Sequence, residues 1–144
     1  MKYSAKNELI RLDEYYPNSD LKHIYQIHRE KIIVLLNTLE LVWKQNKLDE
    51  ESSQILTEGL QNPWVVVFYY IVGKEINLMI GKVKGIENLI LKGIEDRRWQ
   101  TRFNTTVIMK GFKNTEIRNI VLEKALNDKS AKVREMAMDI KTYW

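Results

Sequence analysis

The sequence predicts an all-α protein in which helical hairpins stack into a solenoid behind an N-terminal helical cap. The 144 residues include only two prolines and six glycines, and a β-sandwich or barrel of this size would need more turn residues. Apolar residues recur at intervals of three and four along most of the chain, which is the helical period. After residue 50 a similar pattern of residues occurs three times. We therefore expect one domain over 1–144, with a cap at 1–50 and repeats at 51–144.

The N-terminal third predicts two helices. Residues 3–16 have loose helical spacing, and 17–20 predict a turn that ends in a helix N-cap at Asp20. A long amphipathic helix follows over 21–44. Its apolar positions are Ile24, Ile27, Ile32, Leu35, Leu36, Leu39, Val42 and Trp43. We interpret these helices as a cap over one end of a solenoid, and a contribution of the long helix to a binding surface remains open.

The next helices have less uniform signals. A short helix carries Ile55, Leu56, Gly59 and Leu60. The run Trp64 to Val72 has the β-branched and aromatic content of a buried strand, but its place in the repeat predicts a buried helix that continues to about Ile80. This run is about half the length of roughly 20 residues that a membrane span needs. Further helices are expected at about 83–95, 98–112, 115–126 and 130–143.

The internal repeat is the strongest signal. Each unit has two apolar residues, a small residue and another apolar residue, then an Asp or Asn in a turn, then small or apolar positions on the next helix. The units begin at Ile55, Leu89 and Val121, with offsets of 34 and 32 residues. A repeat of this length cannot bury its apolar stripe alone, so stacked units form a continuous core.

Two features of the repeat have a physical role. The small residue near the end of the first helix lets the second helix pack closely, and the turn residue accepts amide hydrogen bonds from the first turn of that second helix. Asp96 and Asp128 are each followed six positions later by an arginine, Arg102 and Arg134. An Asp in the turn and such an Arg can pair, within a repeat or between neighbours. These four residues therefore predict a structural ladder.

The last unit, Leu122 to Ile140, resembles a HEAT repeat, in which the turn Asp and a Val-Arg pair on the second helix are the recognisable positions. Here they are Asp128 and Val133-Arg134. The unit at 89–108 is similar, with Thr101 in place of the Val. The unit at 55–74 departs further, with an Asn in the turn and a Phe in place of the Arg. The resemblance covers about residues 50–144. It implies a scaffold of helical hairpins that binds, usually to protein, and it transfers no catalytic residue.

Chemistry-bearing motifs are scarce. The chain has no cysteine, which removes disulfides and thiolate ligands and fits a reducing, cytoplasmic compartment. His23 and His28 are five residues apart and cannot share a metal as an i, i+4 pair would. The segment 81–85 contains a Gly-Lys pair without the other residues of a phosphate-binding loop, so it predicts a helix–helix turn. We expect no catalytic residue, metal, cofactor or small-molecule substrate.

Charge supplies the candidate binding residues. Residues 1–91 hold 11 Lys and Arg against 12 Asp and Glu, whereas residues 92–144 hold 12 against 7. A basic C-terminal half favours an acidic protein surface or a phosphate backbone, although solvated helix faces explain it as well. The candidate contact residues are Arg97, Arg98, Trp99, Lys129, Lys132 and Trp144.

These observations predict a non-enzymatic, protein-binding module. One concrete version is a bacterial immunity or antitoxin-like protein that masks a toxin domain, although its positive charge is unusual for a protein that neutralises a basic nuclease. Nucleic-acid backbone binding by the basic face, distantly similar to HEAT-like DNA glycosylases, is the alternative. An accessory subunit of a larger complex is a third possibility. No membrane association is expected.

Overall fold

The computed structural model describes residues 3–62, 68–111 and 115–144. These ranges are helical throughout except for turns, and they contain no β-strand. The α-helices within these ranges are α1 (Ala5–Tyr15), α2 (Lys22–Gln45), α3 (Glu50–Leu60), α4 (Lys74–Met79), α5 (Ile86–Ile94), α6 (Trp99–Ile108), α7 (Glu116–Leu126) and α8 (Ala131–Tyr143). The all-α prediction is therefore confirmed. No helix in these ranges combines the length and apolar character that crossing a bilayer requires.

Helix α1 is capped by Ser4, whose Oγ accepts the amide of Asn7 at 3.2 Å. It packs against α2, and Asp13 fixes the pair by accepting hydrogen bonds from Arg29 at 2.6 and 2.9 Å. The predicted N-cap at Asp20 is wrong. The cap of α2 is Leu21, whose side chain has no acceptor, and the side chain that accepts an amide in this turn is that of Ser19, from the amide at 21.

Helix α2 spans nearly the residues expected for the long amphipathic helix. Its C-terminal half is well buried, with Leu36, Leu39 and Val42 at 0–1% exposure. The apolar face predicted at its N-terminal end is not covered, because Ile24 and Ile27 are 39% and 77% exposed. The spacing of apolar residues predicted the helix correctly, but it did not predict how much of the apolar face other elements cover.

The run Trp64 to Val72 lies partly outside the described residues. From Phe68 to Gly73 the chain is helical with the wider π spacing, and α4 continues directly from it. The helical prediction therefore holds for Phe68 onward, although the helix stops at Met79. The Phe68 carbonyl oxygen lies 3.3 Å from the place that a Cβ at position 73 would occupy, which accounts for Gly73.

The segment 80–85 is a turn between α4 and α5, as expected. Gly85 has φ of +97°, which an L side chain rarely adopts. The turn lies against the α2–α3 connection, because the Leu48 amide donates to the Lys84 carbonyl at 2.8 Å. Helix α5 therefore begins at Ile86, three residues later than expected.

Helix α6 lies at the centre of the C-terminal half. It packs against α3, α4, α5, α7, α8 and the π segment, and Thr101, Thr105 and Thr106 are fully buried in it. It ends at Ile108, four residues earlier than predicted, ahead of Gly111 with φ of +74°. Asn104 on this helix donates to two carbonyls at the end of α3, at 2.7 and 2.8 Å.

Helices α5 and α6 approach very closely at one point. A Cβ added to Gly93 would lie 2.3 Å from Thr105 Oγ1. Real Cβ atoms do not make such contacts, so only glycine permits this separation of the two helices.

Candidate functional site

The turns before α6 and α8 have the same local construction. In the first, Asp96 Oδ1 accepts the backbone amide of Arg98 at 2.8 Å. In the second, Asp128 Oδ1 accepts the backbone amide of Ser130 at 2.8 Å. Each aspartate folds its own turn by this bond, as short acidic side chains commonly do.

Two arginines repeat a second feature of these turns. Arg102 Nη1 donates to the Asp96 carbonyl oxygen at 2.8 Å, and Arg134 Nη1 donates to the Asp128 carbonyl oxygen at 2.7 Å. Both bonds run from an arginine to the main chain six residues earlier. The side chain of each arginine is thus tied to the start of its own helix.

A buried ion pair joins the two turns. Arg102 Nε donates to Asp128 Oδ2 at 2.7 Å, and Arg102 Nη2 donates to Oδ1 at 3.2 Å. The two side chains are only 8% and 7% exposed. Of the four predicted ladder residues, Arg102 and Asp128 therefore pair between neighbouring turns, whereas Asp96 contacts Arg98 at 3.8 Å.

The pKa of Asp128 reflects this pair. Burial by itself raises the pKa of the carboxyl. The hydrogen bonds from Arg102 and from the Ser130 amide, with the positive charges of Arg102 and Lys129, hold the pKa below its ordinary value of 3.8. Asp128 is therefore ionised in the folded protein at neutral pH.

An aromatic ring and a lysine bridge the same two turns at the surface. Trp99 is the first residue of α6 and is half-buried, with its ring edge-on to Phe103 at a centroid distance of 6.1 Å. The ammonium of Lys132, on α8, lies 5.1 Å from the centroid of the Trp99 ring. A cation at this distance from an indole face is attracted to it.

The remaining cations lie in the turns themselves. Arg97 and Arg98 are exposed immediately before α6, and Lys129 is exposed immediately before α8. Neither helix has a side-chain cap, and the Arg102–Asp128 pair and the Lys132–Trp99 contact bring the two N-terminal turns together. We call the surface formed by Arg97, Arg98, Trp99, Lys129 and Lys132 the basic turn edge.

Trp144 does not belong to this edge. It follows the C-terminal end of α8, whereas Lys132 is near the N-terminal end of the same helix. Its ring contacts the ammonium of Lys110 at 5.1 Å, and that ammonium also lies 5.2 Å from the ring of Tyr69. Trp144 is 44% exposed, so it covers part of the protein and remains partly accessible.

Other perturbed titratable groups gather between α1, α2 and α4. The pKa of Glu75 is raised, chiefly by burial and also by the charge of Glu8, despite a hydrogen bond from Trp43 at 3.1 Å. Burial also raises the pKa of Tyr3. Glu40 Oε1 accepts the Ala5 amide at 3.1 Å. These contacts hold the N-terminal helix in place, and sequence spacing gave no signal for them because they join distant segments.

A cleft between α2 and α3 is the second feature that sequence reasoning missed. It has a volume of about 340 Å³, and Val34 and Ile55 lie on its two sides. Exposed apolar residues on α2 recur at intervals of seven, at Ile27, Val34 and Leu41. That spacing predicts an exposed apolar side of α2, of which Val34 lines the cleft. His28 also lines the cleft, and within the described ranges no three acidic or histidine side chains are placed to hold a metal ion.

Comparison of the chain with protein-family models, with curated proteins and with solved structures finds no match. The functional argument therefore depends on the geometry of the chain itself.

Proposed function

We propose that this protein is a non-enzymatic binding module made of HEAT-like helical hairpins, and that the basic turn edge contacts an acidic surface of a partner protein. The observation that carries the proposal is the pairing of two turns by Arg102 and Asp128. Because that pair is buried and bidentate, it fixes the spacing between the exposed cations of one turn and those of the next.

The composition of the edge supports a protein partner. Tryptophan and arginine are enriched at the energetic centres of protein interfaces, and Trp99 is half-buried next to exposed Arg97 and Arg98. Exposed cations also accelerate encounter with an acidic surface. A specific version is an immunity or antitoxin-like protein that neutralises a toxin by covering an acidic patch on it, and an accessory subunit would use the same edge on a larger complex.

Charge reversal tests the edge. We expect Arg97→Glu with Lys129→Glu to weaken capture of a co-purifying partner at least tenfold and to leave the circular dichroism spectrum and the unfolding midpoint unchanged. The matched control is Lys22→Glu with Lys82→Glu, which makes the same change of net charge at exposed positions outside the edge. Equal losses in both variants would reduce the effect to net charge and contradict the proposal.

The immunity version makes a stronger demand. It requires one partner, bound with roughly nanomolar affinity, whose toxic activity disappears in the complex. A partner that binds at the basic turn edge and keeps its activity would support an accessory role, whereas binding that survives reversal at Arg97, Arg98, Lys129 and Lys132 would exclude this edge.

A second candidate is nucleic-acid backbone binding, favoured by the position of the half-buried Trp99 ring among the cations Arg97, Arg98 and Lys132. An aromatic face among cations suits a base next to a phosphate. Counterion release predicts a steep fall of affinity with salt. Fluorescence anisotropy with single-stranded and duplex DNA and RNA between 20 and 200 mM salt, about a tenfold range, decides this. No binding at the lowest salt removes the candidate.

A further inference from the structure

Arg134 repeats the environment of Arg102 except for one partner. Each arginine donates through Nη1 to the carbonyl of the aspartate six residues earlier. Arg102 then uses Nε and Nη2 to bind Asp128 of the following turn. Arg134 is exposed, and the salt bridges among the described residues do not include it. Arg102 thus shows what a guanidinium held in this way binds.

The side of α8 that carries Arg134 is turned away from α6. Lys132 lies over Trp99 of α6, and Arg134 is two residues later, which places it roughly 200° around the helix. Met138 and Lys141 follow at spacings of four and seven, so they share the side of Arg134. Both are exposed, and Met138 is 57% accessible.

The corresponding positions in and just after α6 are buried, and Arg102 among them binds Asp128 of the next turn. At an offset of 32 residues Arg134 corresponds to Arg102, Met138 to Thr106 and Lys141 to Met109. Arg102 and Thr106 of α6, and Met109 at its C-cap, are 0–6% exposed. The side of α8 therefore has the register of a packing face, and it carries one more charge than the corresponding side of α6 because it has a lysine and no threonine.

We propose that this side of α8 is a docking site for a helical hairpin of a partner protein that carries an aspartate in its turn. Arg134 binds that carboxylate through Nε and Nη2, and Met138 packs beneath the docked helix. The guanidinium requires a negative charge on the partner. The packing of the α7–α8 hairpin on α6 shows the shape that such a partner needs. Arg134 adjoins the turn that carries Lys129, because it donates to the Asp128 carbonyl, but it is not one of the residues of the basic turn edge, and the two proposals are tested with different variants.

The chain supplies its own probe. A copy of residues 113–144 added directly after Trp144 preserves the offset of 32 residues, and it presents the Asp128 of the copy to Arg134 at high effective concentration. The readout is hydrogen exchange at the Arg134 Nε–H, followed by NMR in the complete extended chain. The matched comparison is the same extended chain with Asp128→Asn in the copy alone.

We expect the Arg134 Nε–H to exchange at least tenfold more slowly in the extended chain with the aspartate than in the one with asparagine. Arg134→Lys should abolish the protection of the amides in the added hairpin, because an ammonium lacks the planar fork. Lys141→Gln, which removes a cation from the same side of α8, should not. Equal exchange at Arg134 with aspartate and asparagine, or an added hairpin without amide protection, would overturn the proposal.

Discussion

Replacing Asp128 by asparagine tests the buried ion pair that joins the two turns. The substitution keeps the shape of the side chain and the acceptor Oδ1 for the Ser130 amide, which lies at 2.8 Å. It places an amide NH₂ where Oδ2 accepts from Arg102 Nε at 2.7 Å. The new amide N–H and the Arg102 Nε–H are then two donors that face each other. The guanidinium keeps its hydrogen bond to the Asp96 carbonyl.

The expected cost follows from this geometry. Hydrogen bonds to charged groups contribute about 1.5–3 kcal/mol each, and removing one partner of a buried pair costs about 3–5 kcal/mol. The carbonyl bond to Arg102 survives, so we expect Asp128→Asn to lower the free energy of unfolding by about 3 kcal/mol. For a chain of this size that corresponds to a fall in Tm of roughly 10 °C.

Urea unfolding followed by circular dichroism measures the change, and Asp139→Asn is the matched control. Asp139 is an exposed aspartate on α8, so its substitution should change the unfolding free energy by less than about 0.5 kcal/mol. A double-mutant cycle with Arg102→Met isolates the pair. If Asp128→Asn and Asp139→Asn have equal effects, the pair does not hold the turns together, and the fixed spacing of the basic turn edge loses its physical basis.

Three further predictions concern the same half of the chain. The folded-state pKa of Asp128 is lowered, so the stabilisation of the fold by its carboxylate should be complete above the unfolded-state pKa of about 4 and should disappear as the pH falls through the folded-state pKa. The difference in unfolding free energy between the native chain and Asp128→Asn should therefore narrow between pH 5 and pH 3, about two pH units. An unchanged difference would contradict a lowered pKa. Gly93→Ala should destabilise the protein by about 1–3 kcal/mol because its Cβ would lie 2.3 Å from Thr105 Oγ1, although alanine favours an ordinary helix. Lys92→Ala, at an exposed position, is the control in the same unfolding assay. A Gly93→Ala variant that is more stable than the native chain would refute the close approach. Asn104→Ala should cost about 2–4 kcal/mol, since it strips two carbonyls at the end of α3 of their donor, and amide exchange in α3 should accelerate more than in α8.

The periodic part of the fold was predictable because it depends on spacing along the chain. The small residue expected near the end of the first helix of a hairpin is Gly93, and the structure gives the reason in its contact with Thr105. The turn function of Asp128 was equally accessible, because a bond to an amide two residues later is local. Whether Asp and Arg pair within a repeat or between neighbours could not be predicted from the sequence, since it depends on how two hairpins lie against each other.

Helix ends and exposure were less predictable for the same reason. Helix α6 ends four residues before the expected position, ahead of the turn in which Gly111 has a positive φ. Ile27 has the spacing of a core residue and is 77% exposed. Periodicity identifies the face of a helix that is apolar, whereas burial requires another element on that face. The contacts of Lys110 with Tyr69 and Trp144 join three distant segments and had no signal in the sequence.

The buried Arg102–Asp128 pair and the exposed cations of the basic turn edge have different tasks in the proposed function. Arg102 is buried and has three acceptors, so it adds little to the accessible positive charge. The exposed charge comes from residues such as Arg97 and Lys129, which lie in turns that Arg102 and Asp128 hold side by side. Loss of the buried pair should therefore weaken partner binding by disturbing the spacing of these cations, whereas loss of an exposed cation should weaken it without affecting stability. Asp128→Asn should consequently reduce both the unfolding midpoint and the affinity, while Arg97→Glu with Lys129→Glu reduces the affinity alone. Measurement of both quantities on both variants separates the scaffold from the surface that it presents, and a variant Asp128→Asn that is destabilised but binds normally would show that the turns do not need the pair to present their charges.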